Sequence, residues 1–234
     1  MVLPQPAVKT DRMDWIALTL SLKLGVVTML ILLPVSVAVG RWLAYRDIRG
    51  KALVEAALAL PLVLPPTVIG YYLLTAFGLA SPLGRLWQSL FGQPLAFSFA
   101  GLLAASVIVN LPFAIQPAQR AFESIPRSVR DAAAVSGLTP AEALWRIDLP
   151  LAWPGIVTGM TLTFAHTLGE FGVVLMVGGS IPGETRTAAI AIYDRVQAFD
   201  DRGAALLSSV LLLVSIVALT LTSLLGRRKA GRRG

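Results

Sequence analysis

Apolar positions gather into five long stretches, residues 15–39, 52–77, 97–119, 153–177 and 204–225, separated by polar segments rich in Pro, Gly and Arg. A helix needs about 20 apolar residues to cross the ~30 Å hydrocarbon core of a bilayer. Each stretch is long enough, so the pattern predicts an all-α, polytopic membrane protein with about five transmembrane helices. The whole chain, 1–234, reads as one transmembrane domain. Between stretches two and three, Pro82, Gly84, Arg85, Gly92 and Pro94 argue against a sixth span. The first stretch is longer than the ~7–15 apolar residues of a signal peptide, and no small-x-small cleavage site follows it, so it reads as a retained helix.

Two of the stretches should be irregular. The second contains Pro61, Pro65 and Pro66, then Gly70; the third contains Pro112 and Pro117 beside Asn110, the only Asn in the chain. Each internal Pro removes a backbone hydrogen bond and kinks or breaks a helix. Carbonyls freed at membrane depth are tolerated only against protein or a water-lined cavity. Two readings stand: ordinary close packing of helices, or helices lining a path that opens and closes. The fourth stretch is the most polar, with Thr158, Thr161, Thr163, His166, Thr167 and Glu170. His166 and Glu170 are four apart and share a helix face. Intramembrane ionisable groups are functional candidates; the alternative is an internal tie between helices. Glu170, Gly169, Gly172, Pro65, Pro66 and Thr67 are therefore the candidates for the path or its gate. With one His and no Cys in the chain, no metal site is expected.

Composition narrows the class. Hydrophobic residues make up 56% of the chain and charged residues 14%, against about 25% charged in soluble domains, which excludes a soluble enzyme and a disordered chain. The net charge of +7 raises the question of nucleic acid, and the distribution of the charge answers it. Thirteen of the twenty basic residues fall on three segments of one side: Arg41, Arg46, Arg49 and Lys51; Arg120, Arg127, Arg130 and Arg146; and five after residue 226. Six (Lys9, Arg12, Arg85, Arg186, Arg195, Arg202) fall on the other, and Lys23 lies within the first stretch. Basic residues concentrate in cytoplasmic loops. The expected topology is N-terminus outside and C-terminus cytoplasmic, and the charge orients the chain without any nucleic-acid partner. Lys23 either snorkels, pairs within the bundle or faces the path.

The segment 124–150 is too polar to span and too regular for a floppy linker. Pro126 opens a short Ala-rich helix, Gly137 closes it, and Thr139 with Glu142 forms a capping box around Pro140. It reads as helix, Gly turn, helix, ending before Pro150, and the small side chains suit it to a groove on another protein. This segment resembles the coupling motif of ABC importer permeases: an acidic residue and two alanines, a Gly after three more residues, then Ile-x-Leu-Pro. Here the residues are Asp131, Ala132 and Ala133, then Gly137, then Ile147, Leu149 and Pro150. Asp131 stands where the family usually has Glu, one methylene longer.

Further segments, residues 61–71, 167–172 and 181–187, make the chain similar to the molybdate permeases of the oxyanion branch. Sulfate and tungstate permeases are the nearby alternatives. The resemblance implies the type I ABC importer permease fold and a homodimer with the path on its axis. It also implies two copies of a separate cytoplasmic ATPase and a periplasmic or lipid-anchored binding protein. This chain would then be a transport subunit in the bacterial inner membrane, not an enzyme. ATP and Mg would belong to the partner, in keeping with the missing phosphate-loop pattern. The oxyanion would meet backbone N–H groups and hydroxyls, since no Arg lies inside a stretch. Segment 180–202, with charges of both signs, reads as the surface facing the binding protein or as a solvated loop.

A proton-coupled carrier using His166 and Glu170 is the main competing class; no internal repeat of the kind such carriers use is evident. An intramembrane enzyme lacks any H-E-x-x-H, G-x-S-x-G or Asp pair, and a simple membrane anchor would not need the Pro-broken spans.

Overall fold

The computed structural model describes residues 14–47 and 49–230, with side chains as far as 220. Lys9, Arg12, Arg232 and Arg233, which contribute to the charge pattern, lie outside the described residues, as do the side chains of Arg227, Arg228 and Lys229. The described elements are helical throughout: α1 (Trp15–Tyr45), α2 (Lys51–Val63), α3 (Pro66–Phe77), α4 (Pro82–Phe91), α5 (Phe99–Glu123), α6 (Arg127–Val135), α7 (Pro140–Ala143), a π-helical turn (Leu144–Asp148), α8 (Leu149–Gly169), α9 (Gly172–Gly178), α10 (Ala188–Gln197) and α11 (Asp201–Ala230).

Helix starts follow local chemistry. The Asp14 carboxylate accepts from the Ala17 N–H at 3.0 Å, Ser81 Oγ from Gly84 at 2.8 Å and Ser98 Oγ from Gly101 at 3.2 Å. Each satisfies an N–H that the first turn leaves without a partner.

Three continuous helices are long and apolar enough to cross a membrane, and two bent helix pairs raise the number to as many as five when each pair is taken as one span. Helices α1, α5 and α11 are each long and apolar enough to cross alone. The second span is α2 and α3, bent by 107°. Leu64 and Pro65 take extended backbone between them, as expected where each of two residues precedes a proline. The fourth span is α8 and α9, bent by 62° where Glu170 leaves helical geometry. The third span behaves differently: α5 runs unbroken through Pro112 and Pro117. Between spans two and three, α4 is only ten residues long and does not cross.

One expectation is corrected. The helical loop does not end before Pro150; the chain stays helical from Pro140 to Gly169. The π-helical turn is the reason: Leu149 N–H reaches back to Leu144 O, widening the helix just ahead of the ring. A π-bulge accommodates a residue that ordinary helical pairing would not, and Pro150 follows directly on this widened turn.

The core has its centre where α1, α5 and α8 meet, around Leu32, Ala118, Phe122 and Ile156. Gly155 and Gly159 let α8 approach the α5 backbone, since a Cβ would meet Pro117 O and Ala114 O at 3.0 Å. A second cluster joins α3, α5 and α9 through Ile69, Val109 and Val173, and a third ties α10 and α11 to the start of α1. By contrast α2 buries no side chain completely, and an apolar face from Leu60 to Tyr72 is exposed around the α2/α3 break.

Candidate functional site

The loop 124–150 folds from its own sequence. Gly137 has φ +76°, and a Schellman pair closes α6: Gly137 N–H donates to Ala134 O at 3.0 Å and Leu138 N–H to Ala133 O at 3.2 Å. The capping box follows at once. Glu142 N–H donates to Thr139 Oγ1 at 3.2 Å, and Thr139 N–H donates to the Glu142 carboxylate at 2.9 Å. With the Thr139 hydroxyl also donating, these bonds hold the Glu142 carboxyl below its usual range. Between these turns and Pro126, α6 buries only Ala133 completely. Its outer face shows Asp131, which has no side-chain partner among the described residues, and Val135, 90% exposed. Ala132, Ala133 and Ile147 line a shallow groove between α6 and the π-helical turn. Leu149 packs into the central cluster and Pro150 is exposed at the start of α8. The seven motif residues therefore divide: four on the loop's surface and groove, Ile147 beneath them, two anchoring the loop to a span.

The tie that holds this loop is not among the residues singled out from the sequence. Arg41 Nε donates to Asp148 Oδ2 at 2.8 Å, and Tyr45 Oη donates to Oδ1 at 3.1 Å. Asp148 is buried, and Arg130 of α6 lies over the Tyr45 ring at 4.2 Å. Helix α1, helix α6 and the π-helical turn thus share one polar knot. The available signal is an isolated Asp between Ile147 and Leu149, facing a basic position on α1 that also helps to orient the chain. Arg41 belongs to α1 because the helix continues six residues beyond the predicted span end.

The two helix breaks meet. A Cβ on Gly172 would lie 2.8 Å from Pro66 Cβ, and one on Gly70 would lie 2.7 Å from Met176 Cβ. Helices α3 and α9 therefore start side by side, which brings the candidates Pro65, Pro66, Glu170 and Gly172 together. Thr67 is exposed on the first turn of α3, and Gly169 is exposed with open space beside it. Glu170 caps α9: its carboxylate accepts the Val173 N–H at 3.0 Å, and it approaches His166 Nε2 at 3.7 Å. His166 Nδ1 lies 3.2 Å from Asn110 Oδ1 and its ring stacks on Phe113. Asn110 Nδ2 donates to Thr167 Oγ1 at 3.1 Å and to Ser106 O at 2.8 Å, and Thr28 Oγ1 donates to Ser106 Oγ at 2.9 Å. This chain of side chains links α1, α5 and α8 to the cap of α9, which favours the tie over the relay. Lys23 sits over the Phe99 ring at 4.4 Å, a contact within the bundle. Glu55 receives Gln119 Nε2 at 2.7 Å near Lys51, beside Glu123.

In segment 180–202 much of the charge is internally engaged. Arg186 pairs with Asp14 at 2.8 Å and Asp194 at 2.9 Å, and Arg195 with Asp200 at 2.8 Å. Exposed in this segment are the apolar and aromatic Ile181, Tyr193, Val196 and Phe199, beside the charged Glu184, Asp201 and Arg202. Among the described residues no group of His, Asp and Glu could hold a metal ion.

This architecture is found in solved ABC importers. The permease of a bacterial ABC transporter importing the acidic polysaccharide alginate superposes with a TM-score of 0.72 at 16% identity, over 92% of this chain and 79% of that one. A chain of the inward-facing MetNI methionine ABC transporter gives 0.68 at 17%, over 92% and 94%. The fold is that of a type I ABC importer permease.

Sequence comparison places the chain further. Residues 36–231 match the family described as binding-protein-dependent transport system inner membrane component. The molybdenum transport system permease protein ModB of Azotobacter vinelandii is 44% identical over 93% of this chain and 96% of that protein. ModB of Escherichia coli K12 is 35% identical over 94% and 97%. A probable sulfate permease, cysT of Chlorella vulgaris, is 34% identical over 74% of this chain and 64% of its own length. The chain belongs to the binding-protein-dependent inner membrane components, among the molybdenum transport permeases. It is a multi-pass transport subunit of the bacterial inner membrane, and ATP hydrolysis belongs to a separate ATPase.

Proposed function

We propose that the chain is the permease of a molybdate importer. The observation that carries this is the 44% identity to a molybdenum permease across nearly the full length of both proteins. Sulfate is the second reading, supported by relatives that align over a shorter part of their length.

In this reading the chain acts as one transmembrane domain, with residues 124–150 as its docking segment. Two copies pair through the exposed apolar face around the α2/α3 break, with the path between them. Two ATPase subunits, which hold ATP and Mg, each receive one α6. Asp131, Ala132, Gly137 and Val135 form the surface offered to the ATPase. Asp148 and Arg41 pass its movement to α1, while the π-helical turn and α8 pass it to the α3/α9 pair, whose abutting breaks let the outer halves of spans two and four swing together. Gly169, Gly172, Pro65, Pro66 and Thr67 border that moving region, and Glu170 keeps α9 formed within it. A binding protein delivers the anion on the outer side, near Tyr193 and Phe199. The N-terminus lies outside and the C-terminus in the cytoplasm, an orientation supported by the bias of the basic segments to one side.

Labelled molybdate uptake in cells lacking their own molybdate importer, supplied with this permease and its ATPase and binding protein, tests the substrate. Uptake competed by molybdate and tungstate, and not by equimolar sulfate, is the expected result. Competition by sulfate alone would transfer the chain to the second reading.

A further inference from the structure

Beside the Arg41–Asp148 knot, on the opposite face of α1 from the bundle, lies a groove of about 530 Å³ between α1 and the start of α8. Its walls are mainly apolar: Pro34, Val37 and Ala38 on α1, with Leu144 and Leu149 opposite. Three of the five tryptophans in the chain, Trp42, Trp145 and Trp153, stand around it, exposed by 42%, 70% and 40%. Arg41 and Arg46 occupy one end. Arg41 is neutralised by Asp148, whereas Arg46 is exposed and has no acidic partner among the described residues. The groove therefore ends in a cation that forms no ion pair among the described residues, with the exposed Asp47 its neighbour in the chain.

Its depth fits the membrane. Trp15 is 65% exposed at the other end of α1. The 27 residues from Trp15 to Trp42 rise roughly 40 Å along a helix, the thickness of a bilayer with its headgroups. Trp favours both interfaces. Pro34, Val37 and Ala38 then lie at acyl-chain depth, and Arg46 at headgroup depth. Basic pockets between transmembrane helices take anionic lipid headgroups.

We propose that this groove is a binding site for an anionic phospholipid, with an acyl chain along Pro34, Val37 and Ala38 and the phosphate at Arg46. A zwitterionic lipid also brings a phosphate to Arg46 but carries its own cation beside it, so its net attraction is weaker than that of an anionic lipid, which is why the site should discriminate. Because the wall includes the π-helical turn, an occupied groove would brace the joint between the docking loop and α8.

Native mass spectrometry of the assembled permease–ATPase complex, released from micelles containing equal phosphatidylglycerol and phosphatidylethanolamine, tests the site. The expected result is selective retention of phosphatidylglycerol. Arg46→Glu should reduce that retention roughly fivefold or more, since one basic group near an anionic lipid contributes about that factor. Ala38→Trp, which fills the groove and leaves every charge in place, should do the same with the complex still assembled. Equal retention of both lipids, or phosphatidylglycerol retention unchanged by both variants, would overturn the proposal. So would a disulfide between two copies carrying Ala38→Cys in this Cys-free chain, because the groove would then hold a second copy.

Discussion

Arg41 and Asp148, 107 residues apart in the chain, meet at 2.8 Å and join the first transmembrane helix to the end of the loop 124–150. Asp148 is 3% exposed and also receives the Tyr45 hydroxyl, so its charge has no route to water if Arg41 is lost. Removing one partner of a buried ion pair costs roughly 3–5 kcal/mol, while replacing both by apolar groups can be neutral. Arg41→Met should therefore lower the unfolding temperature of the detergent-purified permease clearly. Arg41→Met with Asp148→Leu should recover most of that loss yet leave ATP hydrolysis poorly coupled to transport. Thermal melts and paired transport and hydrolysis rates check both parts.

Gly137 separates fold from docking. Its φ of +76° admits Asn and Asp but strains β-branched residues, and a Cβ there would meet nothing within 4 Å. Gly137→Val should destabilise the loop by about 1–2 kcal/mol. Gly137→Asp should insert and fold normally but fail to couple, because its side chain enters only open space on the surface proposed to meet the ATPase. Normal transport by Gly137→Asp at normal abundance would remove the docking assignment.

Where α3 and α9 abut, added bulk cannot be absorbed. Gly172→Val directs new atoms at the Pro66 ring, which has no rotamer to escape into. Transport should fall steeply while the α1, α5 and α8 core, distant from this contact, keeps the protein folded. Initial uptake rates beside size-exclusion profiles distinguish the two.

Glu170 caps a helix, so its shape should matter more than its charge. Glu170→Gln retains an oxygen for the Val173 N–H and should transport nearly as well as the native protein. Glu170→Ala loses the cap, a change that typically costs about 1 kcal/mol, and should slow transport. Strong loss in Glu170→Gln alone would revive a proton relay through His166.

The capping box at Thr139 has a pH signature. Its hydrogen bonds lower the Glu142 pKa in the folded loop. The ionised carboxylate therefore stabilises the loop above the ordinary Glu range, and that contribution disappears as pH falls through the lowered folded value. Amide exchange of the Ala143 region should lose protection on acidification. Glu142→Gln, which can keep the box but cannot titrate, should remove the dependence.

Much of this is legible in the residues. Capping and turn chemistry is local, so Gly137, Thr139 and Glu142 announce their geometry, and apolar run lengths announce the candidate spans, three of them continuous and two bent. The break at Pro65 follows from consecutive prolines. The continuation of helix through Pro150 is not legible, because the π-helical turn that permits it depends on packing of Ile147 and Leu149 under α6 and against α1. Pro112 and Pro117 are equally misleading as signals of a break, since α5 is held on several sides by α1 and α8. The Arg41–Asp148 pair and the Ser106–Asn110–Thr167 chain join distant segments, and a single sequence contains no pairing information across such separations.

Coupling of a separate ATPase to oxyanion import is tested most directly by ATP hydrolysis, with the permease reconstituted in lipid vesicles beside its ATPase. Binding protein loaded with molybdate should stimulate hydrolysis, empty binding protein much less, and Gly137→Asp should abolish the stimulation. Hydrolysis that ignores the loaded binding protein, or a permease that recruits no ATPase at all, would contradict the account.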